Sequence, residues 1–160
     1  MKALNGAIKD NGMFTVSKAS ASAGAKRRGI DIAGNMVIGV FRNDFAVRML
    51  AASIEAGIEA PLRYYITDDG NGTATLTYRT PSAVFAPYEN AALDDLAGEL
   101  DVIFAAIAEQ AVGGGPPEHG DAALPIDLAG GDQASPLGVK LGKRHVVAAH
   151  ALDGHTFEQL

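Results

Sequence analysis

Cysteine is absent from the 160 residues, and histidine is absent from the first 112, the four histidines being His119, His145, His150 and His155. Without cysteine, disulfides, thiolate nucleophiles and cysteine-ligated zinc are excluded together. Without an imidazole in the first 112 residues, Ser-His-Asp and Cys-His nucleophile systems are excluded there, as are most zinc sites. Broad positive charge is lacking too. The formal net charge is −6, and the single basic run, Lys26-Arg27-Arg28, reads as a solvated face. Electrostatic capture of nucleic acid or of an acidic membrane surface is therefore disfavoured. No stretch is long and uncharged enough to span a bilayer, and the first ten residues lack the apolar core of a secretory signal. As written, the chain is expected to be soluble and cytoplasmic.

What is present supports one ordinary domain, with a hydrophobic fraction of 48% that suffices for a real core. Composition changes at Gly113-Gly114-Gly115-Pro116-Pro117: nine of the nineteen glycines and four of the seven prolines follow Val112. The expected organisation is a folded domain over residues 1–112 and a Gly/Pro-rich, disordered tail over 113–160. In that tail His145, His150 and His155 recur every five residues, which places them on no single face of a helix or strand. Gly138 to Arg144 has glycines too closely spaced for a phosphate loop, with Arg144 where Ser or Thr is required. No metal site and no cofactor are expected.

Within the front domain, Leu4, Ala7 and Ile8 recur at helical spacing before Gly12. Met13 to Val16 reads as a strand, Ser20 to Arg28 as a short helical or irregular excursion closed by Gly29, and Met36 to Phe41 as a central strand. Asn43 or Asp44 is placed to cap the next helix. Val47, Leu50, Ala51 and Ile54 form its main apolar stripe, Phe45, Met49 and Ala52 broaden it, and Gly57 ends it, so this helix is expected to be mostly buried. Leu62, Tyr64 and Ile66 alternate with polar neighbours, as do Ala74, Leu76 and Tyr78, and Asp68-Asp69-Gly70-Asn71-Gly72 between them predicts a hairpin. A long helical stripe from Leu93 to Ala111 follows, with Asn90 as its N-cap. The expected fold is α+β, two-layered, with an antiparallel or mixed sheet and helices packed on one face.

Gly39-Val40-Phe41-Arg42-Asn43-Asp44, Ala60-Pro61-Leu62-Arg63, the acidic Gly turn and Tyr78-Arg79-Thr80-Pro81 resemble, in order and spacing, the bacterial family known as domain of unknown function 302. The resemblance covers about residues 1–112. The family's Phe-Gly-Asn-Pro corner is Phe41-Arg42-Asn43-Asp44 here, and the strand with which members usually begin has no counterpart before the first helix. The resemblance therefore implies a sheet whose first edge strand is missing, and a periplasmic location if an export signal lies upstream.

The family pattern directs attention to Asn43, whose structural role would be the helix N-cap. Arg63, with Arg42 and Arg48, either frames an anion site beside a helix N-terminus or pairs with Glu55, Glu59 or Asp44. Tyr64, Tyr65 and Tyr78 either put phenols around a pocket or pair across strands. Asn43, Arg48, Arg63 and Tyr78 are thus the candidate ligand-binding residues, and no catalytic residue is identified. The expected function is a non-enzymatic binding or self-association domain, its partner a small anionic ligand or a second copy of the chain. The alternative is an enzyme using Arg, Tyr and carboxylate groups on a small anionic substrate.

Overall fold

The computed structural model describes residues 1–113 and the backbone of residues 144–149. Helix α1 (Lys2–Asp10) buries Leu4, Ala7 and Ile8, and Gly12 leaves it at φ +70°, letting the Met13 N–H donate back to the Ile8 carbonyl at 2.9 Å. Strand β1 (Phe14–Ala19) leads to α2 (Ala21–Lys26), where the Ser20 hydroxyl accepts from the Ala23 N–H. Strand β2 (Asn35–Phe41), helix α3 (Asn43–Ala52) and a 3₁₀ turn over Glu55–Glu59 come next. The hairpin of β3 (Leu62–Asp68) and β4 (Ala74–Arg79) precedes the short α4 (Pro81–Phe85) and the long α5 (Ala91–Gly113).

The strands stand in sequence order, each antiparallel to its neighbours, and β5 (Arg144–Ala149) pairs along β4 as the fifth. Alternation along each strand separates two faces. Met36, Ile38, Val40, Tyr64, Ile66, Leu76 and Tyr78 meet α1, α3 and α5 in the core. Val37, Arg63, Tyr65, Thr75, Thr77 and Arg79 lie on the opposite face, which the core helices α1, α3 and α5 leave uncovered. The two-layer α+β arrangement is thus the observed one, and the sheet is antiparallel throughout the described residues.

Helix α5 holds the layers together. It buries Leu93, Leu96, Ala97, Leu100, Phe104, Ile107 and Ala108, and each large side chain so buried contributes roughly 1.5–3 kcal/mol. Asn90 caps it as expected, its Oδ1 accepting from the N–H groups of Ala92 and Leu93 at 3.0 and 3.2 Å. Beneath the sheet, the Tyr64 ring stacks on Phe104 at 4.9 Å between centroids and meets Tyr78 at 5.2 Å. The Tyr64 hydroxyl donates to the Phe104 carbonyl at 2.8 Å.

Helix α3 departs from its expectation in three ways. Its N-cap is Arg42, in extended backbone and without a side-chain cap bond, so Asn43 is the first helical residue and not the cap. It ends at Ala52, and Gly57 sits inside the separate 3₁₀ turn. Its buried face is Phe45 and Met49, while Val47 and Ile54 are 59% and 79% exposed. A helix crossing one end of α5 has room to bury only one stripe, and the larger aromatic and thioether side chains take it. Helix α4 is an element the sequence analysis does not anticipate.

No strand precedes α1, and the outer side of β4 is taken by Arg144–Ala149. These six residues are the described part of the segment expected to be a disordered tail; the rest of that expectation, including His119, His150, His155 and most of the Gly138–Arg144 segment, falls outside the described residues.

Candidate functional site

The arginines on the helix-covered side are engaged. Arg42 donates through Nε and Nη2 to the two carboxylate oxygens of Asp44 at 2.8 and 3.0 Å, with its guanidinium 4.2 Å from the Phe45 ring centroid. Arg48 makes the same fork to Glu99, at 2.8 and 2.6 Å. The fork geometry suits guanidinium and carboxylate. These bonds hold the carboxyls of Asp44 and Glu99 below their ordinary values and raise the already high value of Arg48. Asn43 stands exposed at the first turn. The expected grouping of Arg42 and Arg48 with Arg63 does not form, because Arg63 projects from the opposite face of the sheet.

Tyr78 takes up the cross-strand pairing that is one of its two expected roles, opposite Tyr64. Only 5% exposed, its ring belongs to the aromatic cluster under the sheet. Burial pushes its phenol, and far more strongly that of Tyr64, above the ordinary tyrosine value.

Arg63 instead has a neighbour that the sequence analysis passes over. The hairpin register pairs Tyr64 with Tyr78 and Tyr65 with Thr77, which sets Arg63 opposite Arg79. Side chains so paired stand about 5 Å apart at Cβ. Among the described residues neither guanidinium has an ion-pair partner, and Arg79 makes one long hydrogen bond, from Nη2 to the Ala83 carbonyl at 3.4 Å. The two arginines line a cavity of about 340 Å³ with Val37, Glu59, Tyr65 and Thr77 on the uncovered face, and the buried Tyr78 borders it. Glu59 forms one side, its Oε1 accepting from the Tyr88 hydroxyl at 3.2 Å.

The floor of this region depends on Gly39. A Cβ there would lie 2.8 Å from the Pro61 ring and closer still to the Ser17 hydroxyl. With no side chain on Gly39, the chain entering β3 lies flat across β2 and brings Arg63 to the sheet. The signal for Arg79 is present in the sequence: once Tyr64, Ile66 and Asp68 are matched to Tyr78, Leu76 and Ala74, Arg63 and Arg79 fall opposite.

Among the described residues no three His, Asp or Glu side chains gather as a metal site, and no helix is long and apolar enough to cross a membrane.

An open-faced antiparallel sheet backed by helices, with paired arginines at one end of its bare face, defines a small α+β domain. The sequence profile of the family described as domain of unknown function DUF302 matches residues 1–111, and the chain belongs to that family. Its fold is similar to that in the crystal structure of an uncharacterized conserved protein DUF302 from Bacillus stearothermophilus, with a TM-score of 0.63 and 19% identity, covering 69% of this chain and 86% of that one. No curated protein matches the chain.

Proposed function

We propose that the chain is a non-enzymatic binding domain that takes a small, multiply charged oxyanion in the cavity between Arg63 and Arg79. The observation that carries this reading is the placement of two guanidiniums opposite each other, with no carboxylate paired to either among the described residues. Like charges directly opposite on a sheet are destabilising, and an anion between them removes that cost. Guanidinium is the side chain best shaped to hold a carboxylate or phosphate through two parallel bonds. The Thr77 and Tyr65 hydroxyls supply further donors, while Glu59 on the rim disfavours ligands that approach from its side.

A thermal-shift titration of the whole chain with inorganic phosphate and with citrate tests this, using sodium chloride at matched ionic strength as reference. Both oxyanions should raise the melting temperature beyond the chloride control, and Arg63→Ala and Arg79→Ala should each abolish the extra rise. Equal shifts from all three salts would overturn the reading.

A further inference from the structure

The cavity that holds the two arginines also holds a carboxylate. Glu59 closes the 3₁₀ turn Glu55–Glu59, shortly before Arg63 in the chain, and lines the same space of about 340 Å³. Among the described residues its carboxylate, like the guanidiniums of Arg63 and Arg79, has no ion-pair partner. Its hydrogen bond there comes from a neutral donor, the Tyr88 hydroxyl, which donates to Oε1 at 3.2 Å. Oε2 and a second lone pair on Oε1 are left to accept. Two cations and one anion thus share a cavity without pairing to each other.

We propose that the ligand of this site is an oxyanion carrying a primary ammonium group, with its anionic end between Arg63 and Arg79 and its ammonium on Glu59. This inference rests on the oxyanion reading and names its ligand class. A plain dianion satisfies the arginines but brings negative charge toward Glu59. The carboxylate that attracts an ammonium therefore also selects against the same molecule without one. An ammonium has three N–H donors and no acceptor, which matches a carboxylate with open lone pairs. The Tyr88 bond directs that carboxylate without neutralising it. Leu62 and Val84 add apolar wall for the carbon chain between the two ends, and the volume lies within the range of roughly 300–1,000 Å³ that small-molecule sites occupy. An amino dicarboxylate and the phosphate monoester of an amino alcohol share this chemistry.

Isothermal titration calorimetry of the full chain at neutral pH tests it with two pairs that differ by the ammonium group: aspartate with succinate, and phosphoethanolamine with ethyl phosphate, at matched ionic strength. The ammonium-bearing member of each pair is the less negative, so attraction to the arginines alone favours the other. At least one ammonium-bearing member should bind several-fold more tightly than its partner, and the pair that shows this tells whether the anionic end is carboxylate or phosphate. Glu59→Gln, whose amide oxygen still accepts from Tyr88, should erase the difference and bind succinate and ethyl phosphate at least as tightly as wild type does. If in both pairs the member without the ammonium binds wild type equally or better, or if the difference survives in Glu59→Gln, this inference is wrong while the Arg63–Arg79 oxyanion site stands. If none of the four binds, this inference falls, and the phosphate and citrate titrations decide the oxyanion site separately.

Discussion

Arg63 and Arg79 face each other across the β3–β4 hairpin, on the side of the sheet opposite α1, α3 and α5. Their repulsion is a property of the empty domain and is open to salt. Arg63→Ala should raise stability at low ionic strength by a few tenths of a kcal/mol, within the range of about 0.2–1 kcal/mol for a cross-strand pair. The gain should vanish as sodium chloride screens the pair. Urea unfolding of both proteins at low and high salt checks this, and a gain independent of salt would assign the effect to something other than charge.

The two asparagines at helix starts should behave differently. Asn90 accepts two first-turn N–H bonds, so Asn90→Ala should cost about 1 kcal/mol, the usual value of a lost N-cap. Asn43 makes no cap bond, and Asn43→Ala should change stability by less than about 0.5 kcal/mol. Chemical denaturation of the pair gives the comparison directly. An equal loss at both positions would return the capping role to Asn43.

Alkaline unfolding should report on Tyr64. Its phenol titrates above the ordinary value in the folded chain because burial disfavours the charged form, with Tyr78 beside it as the lesser cause. Below the unfolded value near 10 the phenol is protonated in both states and stability does not depend on it. Above that value the unfolded chain releases the proton and the folded chain keeps it, so stability falls as pH rises. Tyr64→Phe should flatten the decline above pH 10. At neutral pH it should cost about 1 kcal/mol for the lost bond to the Phe104 carbonyl. Melting temperatures of both proteins from pH 8 to 11 provide the measurement.

Gly39→Ala should be among the most damaging single-methyl additions in the chain. The added carbon meets the Pro61 ring and the Ser17 hydroxyl, and overpacking of this kind costs about 1–3 kcal/mol. Gly98→Ala is the control, since nothing stands within 4 Å of a Cβ there and alanine is the better helix former. Calorimetric melting should separate the two in opposite directions.

The elements that are legible in the sequence are those whose local pattern and tertiary setting agree. The hairpin declares itself because two alternating runs flank a glycine turn, and α5 because one apolar stripe runs its whole length. Helix α3 presents two stripes at helical spacing, Val47-Leu50-Ile54 and Phe45-Met49, and only the packing against α5 and the sheet selects the second. Its cap is similarly decided outside the sequence: Asn43 is a better capping residue than Arg42, but the extended backbone leaving β2 reaches Arg42 first. At five residues, α4 is too short for periodicity to show. Asp44 is legible as an ion-pair partner because it lies two residues from Arg42, whereas Glu99 is not, because it reaches Arg48 from α5, 51 residues away in the chain. Arg79 is hidden for another reason: its importance lies in a cross-strand partner, which appears only when the register is written out.

The bulge in β1, where the register slips between Thr15 and Ser17, bears on how copies of this chain meet. Growth of a sheet from molecule to molecule needs two receptive margins, one to give and one to take. On the β1 margin the bulge breaks the regular ladder, and Lys18 adds charge, both of which discourage a docking strand. On the β4 margin the place is already held by Arg144–Ala149. β5 then forms the outer margin on that side, so of the two margins among the described strands only one carries an unbroken ladder, and a sheet with one receptive margin can join a second copy in a pair but cannot propagate as a fibre.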